Sequence, residues 1–185
     1  MSLPYDRAAL IARMDVGFAP EFVCFWGHTP KHAHSVGKEC FSQWYPARFE
    51  VGGRSFATAE HFMMHGKARL FGDEDAATQI LGSDDPGDVK AMGRAVRNYD
   101  DEKWEAARFD VVVEGNIAKF SQNEQLKAFL LGTRDAVIVE AAPRDTIWGI
   151  GLGAENPRAK NPREWRGRNL LGFALMKARD AIRAA

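Results

Sequence analysis

Four helix-start signals follow one another between Thr58 and Asp101, and no other feature constrains the fold as strongly. Thr58 precedes apolar residues at helical spacing, which predicts a helix with Thr58 as its N-cap and an end near Gly72. Further helices are predicted from Asp73 to Gly82, from Asp85-Pro86 towards Arg97, and from Glu102 to Phe120 with Asp100 or Asp101 as the cap. The middle of the chain is therefore predicted to be helical, with the last of these helices buried at the centre.

Shorter elements flank this helical region. Strands are predicted at residues 22–26 and 136–140, and a hairpin at residues 47–57 turns at Gly52-Gly53. Helices are predicted at residues 4–14 and 167–183, and another is predicted to run from the capping box Ser121-Gln122-Asn123-Glu124 to Gly132. The fold class that follows is α+β, mainly helical, with small antiparallel β-sheet elements. We expect residues 1–20 to form a helical arm and residues 21–185 a single domain.

Composition excludes several classes of protein. Twenty-five basic residues balance twenty-five acidic ones, so we expect no general nucleic-acid-binding surface and no attraction to a membrane. No apolar run approaches the length of a membrane span, and residues 1–13 lack the apolar core of a signal peptide. Cys24 and Cys40 are too few for a disulfide framework. A cytoplasmic protein with two reduced thiols is therefore expected.

Glu60 and Lys67 are the first candidate site residues. They stand seven residues apart on the first predicted helix of the middle region, nearly in line and about 10 Å from each other along its axis. Both lie roughly 90° from the centre of the apolar stripe, at the boundary where a half-buried cleft opens. Two interpretations follow. Either the pair grips a ligand, or both charges lie on a solvated helix flank, where most charged residues are found.

The loop from Asp145 to Gly151, after the last predicted strand, is the second candidate. Its glycines let the backbone approach a ligand, Trp148 offers a stacking surface, and Asp145 offers a carboxylate. The alternative is a tight loop whose tryptophan fills the core. A dinucleotide-binding fingerprint is excluded, because prolines follow where its helix would begin.

Residues 142–166 are rich in glycine and proline. Basic side chains are frequent in the second half of this stretch and in the residues just after it. They can form a local phosphate site, although such runs are more often merely solvated. Asn169 can add its amide to the exposed N–H groups at the start of the closing helix. The basic residues are Arg158, Lys160, Arg163, Arg166 and Arg168.

Histidine and cysteine clustering gives no clear metal site. Segment 27–38 is rich in histidine, and His61 and His65 stand four apart on a predicted helix. The metalloprotease pattern needs a glutamate where this chain has Phe62, and no Cys-x-x-Cys spacing occurs. A serine hydrolase is unsupported too, since the chain has no Gly-x-Ser-x-Gly elbow. No metal is therefore predicted.

Taken together, these residues make the chain resemble the NADAR superfamily of YbiA-like proteins, from about Phe22 to Ile182. Two differences are Gln43, where family members commonly have asparagine, and the His-rich segment 27–38, which can form a lid or a pocket wall. The resembling segments are Phe41-Ser42-Gln43-Trp44-Tyr45-Pro46, Ala59-Glu60-His61-Phe62-Met63-Met64 with Lys67-Ala68, Gly93-Arg94, Trp104, Lys119-Phe120, Val139-Glu140, Asp145 with Trp148-Gly149-Ile150-Gly151, Trp165-Arg166-Gly167, Asn169-Leu170-Leu171-Gly172, and Leu175-Met176 with Arg179.

The resemblance implies a mainly helical fold and an N-glycosidase activity without a cofactor. The implied substrates are nucleotide-like small molecules, either phosphoribosylamino-pyrimidines of riboflavin synthesis or ADP-ribose attached to guanine, including guanine in a nucleic acid. In each of them ribose C1′ is bonded to nitrogen. The implied catalytic residues are Glu60, Lys67 and Asp145. The implied substrate-binding residues are Ser42, Trp44, Met64, Arg94, Trp104, Glu140, Trp148, Gly149 and Asn169.

A mechanism follows from this bond type. Breaking a C–N glycosidic bond builds positive charge on the ribose, so the site needs a carboxylate and a proton source for the departing base. Glu60 and Asp145 can stabilise the ribose, activate water or orient a hydroxyl. Lys67 can protonate the base or capture the opened sugar as a Schiff base, for which apolar neighbours can lower its pKa. We expect the three side chains to meet around one sugar carbon.

Other functions stay open at this point. One is a non-catalytic module that binds or senses NAD or ADP-ribose, although two carboxylates do not favour the binding of an anionic ligand. The others are a toxin–antitoxin or phage-defence component and an enzyme that clears pyrimidine or flavin intermediates.

Overall fold

The computed structural model describes residues 4–29 and 35–185 of the chain. Within them the helices are α1 (Arg7–Asp15), α2 (Ala59–Leu70), α3 (Glu74–Leu81), α4 (Pro86–Arg94), α5 (Asp101–Ser121), α6 (Glu124–Gly132) and α7 (Leu170–Ala184). The strands are β1 (Phe22–Phe25), β2 (Phe49–Val51), β3 (Arg54–Phe56) and β4 (Val137–Glu140). Short 3₁₀ turns lie at Lys38–Phe41, Pro157–Lys160 and Pro162–Glu164. None of the described helices is both long enough and apolar enough to cross a bilayer.

The chain folds as two compact units. One, the helical unit, comprises Gln43–Glu124 and holds the β2–β3 hairpin with α2 to α5. The other, the terminal unit, comprises Met1–Ser42 together with Gln125–Ala185. The mainly helical α+β class is confirmed, and the boundary expected at residue 20 stays a prediction. The His-rich segment at 27–38 lies partly outside the described residues, at 30–34.

Helix caps determine where the helices of the unit at Gln43–Glu124 begin. Each helix from α2 to α5 begins after a capping side chain that accepts a backbone N–H of the first turn. The caps at Thr58 and Asp85 are predicted, Asp100 is one of the two predicted alternatives, and Asp73 lies where the sequence predicts a helix start. Asp73 also accepts hydrogen bonds from the guanidinium and the backbone N–H of Arg97, and these hold the pKa of its carboxyl well below the usual range. Since Asp73 takes the N–H of Arg97, α4 ends at Arg94 and does not continue to Arg97.

An aromatic cluster joins the predicted hairpin to α2. Phe49 and Phe56 face each other across β2 and β3, with ring centroids 5.8 Å apart. The Phe62 ring of α2 lies 5.1 Å from that of Phe56, nearly perpendicular to it. Ala59 completes this buried cluster. Aromatic rings bury large apolar areas, so this cluster stabilises the packing of the hairpin on α2.

Helix α5 packs against α2 at Gly115. A Cβ on Gly115 would lie 2.6 Å from Cδ1 of Phe62, closer than side chains can approach. The position therefore needs a residue without a side chain, and Phe62 fills the space that one would occupy.

In the terminal unit, β1 and β4 pair in parallel, with Phe22 opposite Val137 and Phe25 opposite Glu140. The hairpin is antiparallel as predicted. The parallel pair was not foreseen, because the pattern of a strand shows which face is buried but does not identify its partner. The strand β1 ends at Phe25, and Trp26, which the prediction includes in it, is 70% exposed.

Two predicted helix starts are wrong. The sequence predicts that Ser121 caps α6, but Ser121 is the last residue of α5, and the amide of Asn123 donates to the carbonyl of Lys119. The sequence also predicts a closing helix from Gly167. Helix α7 instead begins at Leu170, because the residue before it adopts a left-handed conformation with φ of 57°. Periodicity alone does not reveal either local conformation.

Replacing Gly115 with alanine tests the packing of α5 on α2. We expect Gly115→Ala to lower the free energy of unfolding by about 1–2 kcal/mol, because overpacking costs about 1–3 kcal/mol and the better helix propensity of alanine offsets part of it. Urea unfolding followed by circular dichroism measures the change.

The matched control is Gly132→Ala at the end of α6, where a Cβ meets nothing within 4 Å. That variant is expected to unfold at the same urea concentration as the parent or slightly above it. Equal stability of Gly115→Ala and the parent would contradict the close packing.

Candidate active site

Glu60 lies in the first turn of α2 and is 3% exposed. Its backbone N–H donates to the carbonyl of Gln43 at 3.0 Å. A helix N-terminus carries partial positive charge, which favours a carboxylate at this position. The interpretation of the two charges as a solvated helix flank therefore does not hold for Glu60.

Lys67 lies further along α2 and is half-buried. Its ammonium donates a hydrogen bond of 2.7 Å to the carbonyl of Gly93, in the last turn of α4. Such carbonyls lack a partner within their helix and carry the negative end of its dipole. Burial lowers the pKa of Lys67 from its ordinary value, and the carboxylate of Asp101 acts in the opposite direction. The amine is therefore neutral more often than that of an exposed lysine.

Met64 and Gly93 determine how closely α2 and α4 approach. A Cβ on Gly93 would lie 2.0 Å from Sδ of Met64, which is itself buried. This contact brings the last turn of α4 within reach of Lys67. Met64 thus packs between helices, and its predicted contact with substrate stays a prediction.

Two aromatic rings flank the ammonium of Lys67. Its Nζ lies 4.2 Å from the ring centroid of Tyr99 and 5.8 Å from that of Trp104. Trp104 is buried in the first turn of α5, whereas Tyr99 is 45% exposed. The family resemblance implies Trp104 as a substrate-binding residue, and the sequence analysis does not predict Tyr99. Tyr99 lies in the turn before α5, where periodicity does not show the direction of a side chain. Arg94 is exposed beside Gly93 at the end of α4.

Gln43 connects α5 with the first turn of α2. Nδ2 of Asn116 donates to Oε1 of Gln43 at 3.1 Å and to the carbonyl of Val112 at 2.8 Å. Gln43 and Asn116 are both buried. Since the carbonyl of Gln43 accepts the N–H of Glu60, the same residue contacts α5 through its side chain and α2 through its backbone. Gln43 is thus part of the support for Glu60.

Ser42 and Trp44 flank Gln43, and both are half-buried. The Trp44 ring centroid lies 5.6 Å from Nζ of Lys90 on α4. The N–H of Ser42 donates to the carbonyl of Glu39 at 3.1 Å, in the turn at Lys38–Phe41. Contact of either residue with substrate stays a prediction.

Asp145 orders the loop that follows β4. Its Oδ1 accepts the N–H groups of Ile147 at 2.9 Å and Trp148 at 2.8 Å, and its carbonyl accepts the N–H of Gly151 at 2.9 Å. This arrangement is an Asx turn, in which an aspartate holds the backbone two residues on. The carboxylate is therefore held in one orientation. Trp148 is half-buried, so it is not a fully buried plug.

Asn169 ties the start of α7 to β4. Its Oδ1 accepts the N–H of Glu140 at 2.9 Å, and its Nδ2 donates to the carbonyl of Ile138 at 2.9 Å. Its backbone N–H donates to the carbonyl of Gly149 at 3.1 Å. The fully buried amide therefore orders the neighbouring loop and strand. Substrate contact by Asn169, Glu140 or Gly149 stays a prediction.

The basic residues between Arg158 and Arg168 are all exposed. Arg163 pairs with Asp15 of α1. The loop has its own internal anchor, because Nε1 of the buried Trp165 donates to the carbonyl of Ala159 at 2.8 Å. Binding of phosphate at this basic surface stays a prediction.

His61 has a structural role. Its Nε2 lies 3.0 Å from the carbonyl of Ser83, and its Nδ1 lies 2.8 Å from Oγ1 of Thr58. A carbonyl only accepts, so Nε2 carries the proton and Nδ1 accepts from the Thr58 hydroxyl. Burial lowers the pKa of both His61 and His65, which favours the neutral rings. Both nitrogens of His61 are therefore used by the protein itself.

The predicted site residues fall into two groups. One group lies with Lys67 in the helical unit, and the other lies with Asp145 in the terminal unit. The first contains Trp44, Glu60, Met64, Lys67, Arg94 and Trp104, and the second contains Ser42, Glu140, Asp145, Trp148, Gly149 and Asn169. The expectation that Glu60, Lys67 and Asp145 meet at one sugar carbon stays a prediction.

Comparison with known proteins gives the family. The model of the NADAR domain matches residues 24–183. The chain belongs to the NADAR domain family. N-glycosidase R617 of Acanthamoeba polyphaga mimivirus is 42% identical over 165 residues, which cover 86% of this chain and 95% of that relative. N-glycosidase YbiA of Escherichia coli (strain K12) is 30% identical over 142 residues, covering 77% and 80%.

A solved structure agrees with this assignment. The NMR structure of the E. coli protein YbiA superimposes with a TM-score of 0.71 at 26% identity, over 90% of this chain and 88% of that one. The NADAR fold is thus shared over most of both chains.

The pair formed by Gln43 and Asn116 can be tested by exchanging the two side chains. Gln43→Asn is one methylene too short to reach Nδ2 of Asn116, so we expect it to lower the free energy of unfolding by about 1 kcal/mol, the usual net value of a hydrogen bond. The double variant Gln43→Asn with Asn116→Gln keeps the combined length and should recover at least half of that loss. A double variant no more stable than the sum of the two single variants would contradict the pairing.

Proposed function

We propose that this NADAR-family chain hydrolyses the bond between ribose C1′ and a base nitrogen in a nucleotide-like substrate. Family membership and similarity to proteins named N-glycosidases make the chain a hydrolase of N-glycosyl bonds. We further propose two substrate classes, phosphoribosylamino-pyrimidines and guanine bearing ADP-ribose. A cytoplasmic location is proposed with it.

The observation that supports this proposal best is the setting of Lys67. The amine is half-buried and held at one point by Gly93, and burial lowers its pKa. A lysine nucleophile must be neutral to attack, so a lowered pKa favours covalent catalysis over simple charge pairing. A lowered pKa suits both roles open to Lys67, since it also makes the ammonium a better proton donor, and the resemblance to the NADAR superfamily leads us to propose the nucleophile.

The covalent step balances without a cofactor. Neutral Nζ of Lys67 forms a bond to C1′ while the C1′–N bond to the base breaks, and the base leaves with the electron pair and takes up a proton. Nζ then passes one proton to O4′ as the C1′–O4′ bond breaks, which leaves a C1′=Nζ iminium. Water adds to C1′ and the C1′–Nζ bond breaks, which releases the sugar and leaves Lys67 as an ammonium. That ammonium returns one proton to solvent, and this balances the proton that the departing base takes from water.

The two carboxylates have different roles in this proposal. Glu60 stabilises the cationic sugar and activates the water, as its buried position in the first turn of α2 suits an electrostatic role. Asp145 orients a ribose hydroxyl, because two backbone N–H groups hold its carboxylate in one orientation. Trp148 and Trp44 stack on the base, and the basic residues from Arg158 to Arg168 bind phosphate.

Release of free base is the direct test. The protein is incubated with ADP-ribosylated guanosine and with a phosphoribosylamino-pyrimidine, and free base is followed by mass spectrometry. We expect Lys67→Ala and Glu60→Gln to lower the rate by about a hundredfold or more, the usual range for removal of a reacting group. Lys67→Arg keeps the charge without a usable nucleophile and should be equally slow.

Lys103→Ala is the matched control, because Lys103 is an exposed lysine whose Nζ also lies near an aromatic ring, 5.6 Å from the centroid of Phe71. It should keep the parent rate. Tight binding of ADP-ribose with no release of base from either substrate would contradict the proposal and support a sensor.

A further inference from the structure

Tyr99 covers the ammonium of Lys67, although no motif of the chain assigns it a role. Its ring centroid lies 4.2 Å from Nζ, closer than the Trp104 ring at 5.8 Å. A cation within about 6 Å of an aromatic face is attracted by the quadrupole of the ring. Tyr99 is 45% exposed, so its side chain meets both Lys67 and solvent.

A hydrogen bond at the hydroxyl and an aromatic contact hold the Tyr99 ring in place. Its hydroxyl donates to Oδ1 of Asp101 at 2.7 Å. The ring meets that of Phe71 edge to face, with centroids 5.3 Å apart. Tyr99 follows Asn98, whose left-handed φ of 56° turns the chain before α5. The ring is thus placed by local structure and does not depend on a bound ligand.

The proposed reaction changes what Lys67 requires from its surroundings. The free ammonium has three N–H groups, one of which bonds to Gly93. The iminium keeps the positive charge but has only one N–H, so hydrogen bonding alone stabilises it less. An aromatic face interacts with the charge itself and needs no N–H group.

We propose that Tyr99 is a positioning residue whose ring face stabilises the positive charge on Nζ of Lys67, in the free amine and in the iminium. The effect on the iminium rests on the proposed function, whereas the effect on the free amine does not. Burial and the ring then act in opposite directions: burial makes the neutral nucleophile accessible, and the ring stabilises the cation that forms from it.

Other charges near Lys67 must be kept apart from the effect of the ring. Asp101 raises the pKa of Lys67 and also accepts the Tyr99 hydroxyl. Arg108 and Asp100 act on the Tyr99 phenol. Tyr99→Phe therefore serves to remove the contact with Asp101 while keeping the ring, and Tyr99→Leu removes the ring while keeping an apolar cover.

The pKa of Lys67 is measured in the free protein by trace acetylation. Acetic anhydride is added at a series of pH values, and the rate of modification of the Lys67 peptide is followed by mass spectrometry, with the peptide of the exposed Lys160 as internal reference. We expect Tyr99→Leu to move the midpoint about half a pH unit down, since losing the ring removes stabilisation of the charged form alone. Tyr99→Phe should match the parent, and Tyr99→Trp should equal or exceed it.

The control is Phe71→Leu, which removes the ring that meets Tyr99 edge to face and keeps the backbone N–H that donates to the carbonyl of Lys67. Its midpoint should stay at that of the parent. A Tyr99→Leu midpoint equal to the parent would overturn the proposal. So would a fall in Tyr99→Phe as large as that in Tyr99→Leu, because the contact with Asp101 would then be responsible.

The iminium is tested separately with ribose 5-phosphate and cyanoborohydride. We expect a reduced sugar adduct on Lys67 in the parent and in Tyr99→Phe, and several-fold less in Tyr99→Leu at a pH that gives the same fraction of neutral amine. Equal amounts of adduct in all three proteins would overturn the effect on the iminium.

Failure of the parent to hydrolyse the nucleotide substrates would count against the proposed function. The acetylation midpoints would stand independently of that result.

Discussion

The hydrogen bond between the Lys67 ammonium and the Gly93 carbonyl is the contact on which the rest of the site in the helical unit depends. It forms because α4 ends beside α2 and presents carbonyls that have no partner within the helix. The approach is close only because Gly93 leaves room for the buried Met64. A lysine side chain that reaches a helix C-terminus in this way is held at one point while its amine stays half-buried.

The surroundings of Lys67 act on its charge in opposite directions. Burial disfavours the ammonium, while Asp101, the end of α4 and the Tyr99 ring favour it. The outcome is a lowered pKa with the cation still well accommodated. An amine in this state can serve as a nucleophile and can carry positive charge afterwards, which a fully exposed or fully paired lysine does less well.

Glu60 has a different kind of support. Its helix begins at a cap formed by Thr58. The backbone N–H of Glu60 donates to the carbonyl of Gln43. The family resemblance leads us to expect asparagine at this point of the motif, and the structure shows what the longer side chain of Gln43 contacts. Its Oε1 accepts a hydrogen bond from Asn116 of α5.

Much of this was predictable from the sequence, for physical reasons. The caps of α2 to α5 are local, since each side chain bonds to a backbone N–H two or three residues away, and the hairpin turns at two glycines. Contacts between residues far apart in the sequence were not predictable. Examples are the parallel pairing of β1 with β4 and the hydrogen bonds of the Asn169 amide to β4. The contact of the Tyr99 ring with Lys67 was not predictable either, because Tyr99 lies in an irregular turn where periodicity does not show the direction of a side chain.

The central claim is that the amine of Lys67 forms the covalent bond to the sugar, and trapping during turnover tests it most directly. Borohydride is added while the protein hydrolyses ADP-ribosylated guanosine, and the digested peptides are mapped by mass spectrometry. The account predicts that the sugar mass appears on the peptide containing Lys67 and is absent from the Lys67→Arg protein. Free guanine released at the full rate, with the Lys67 peptide unmodified throughout, would contradict it.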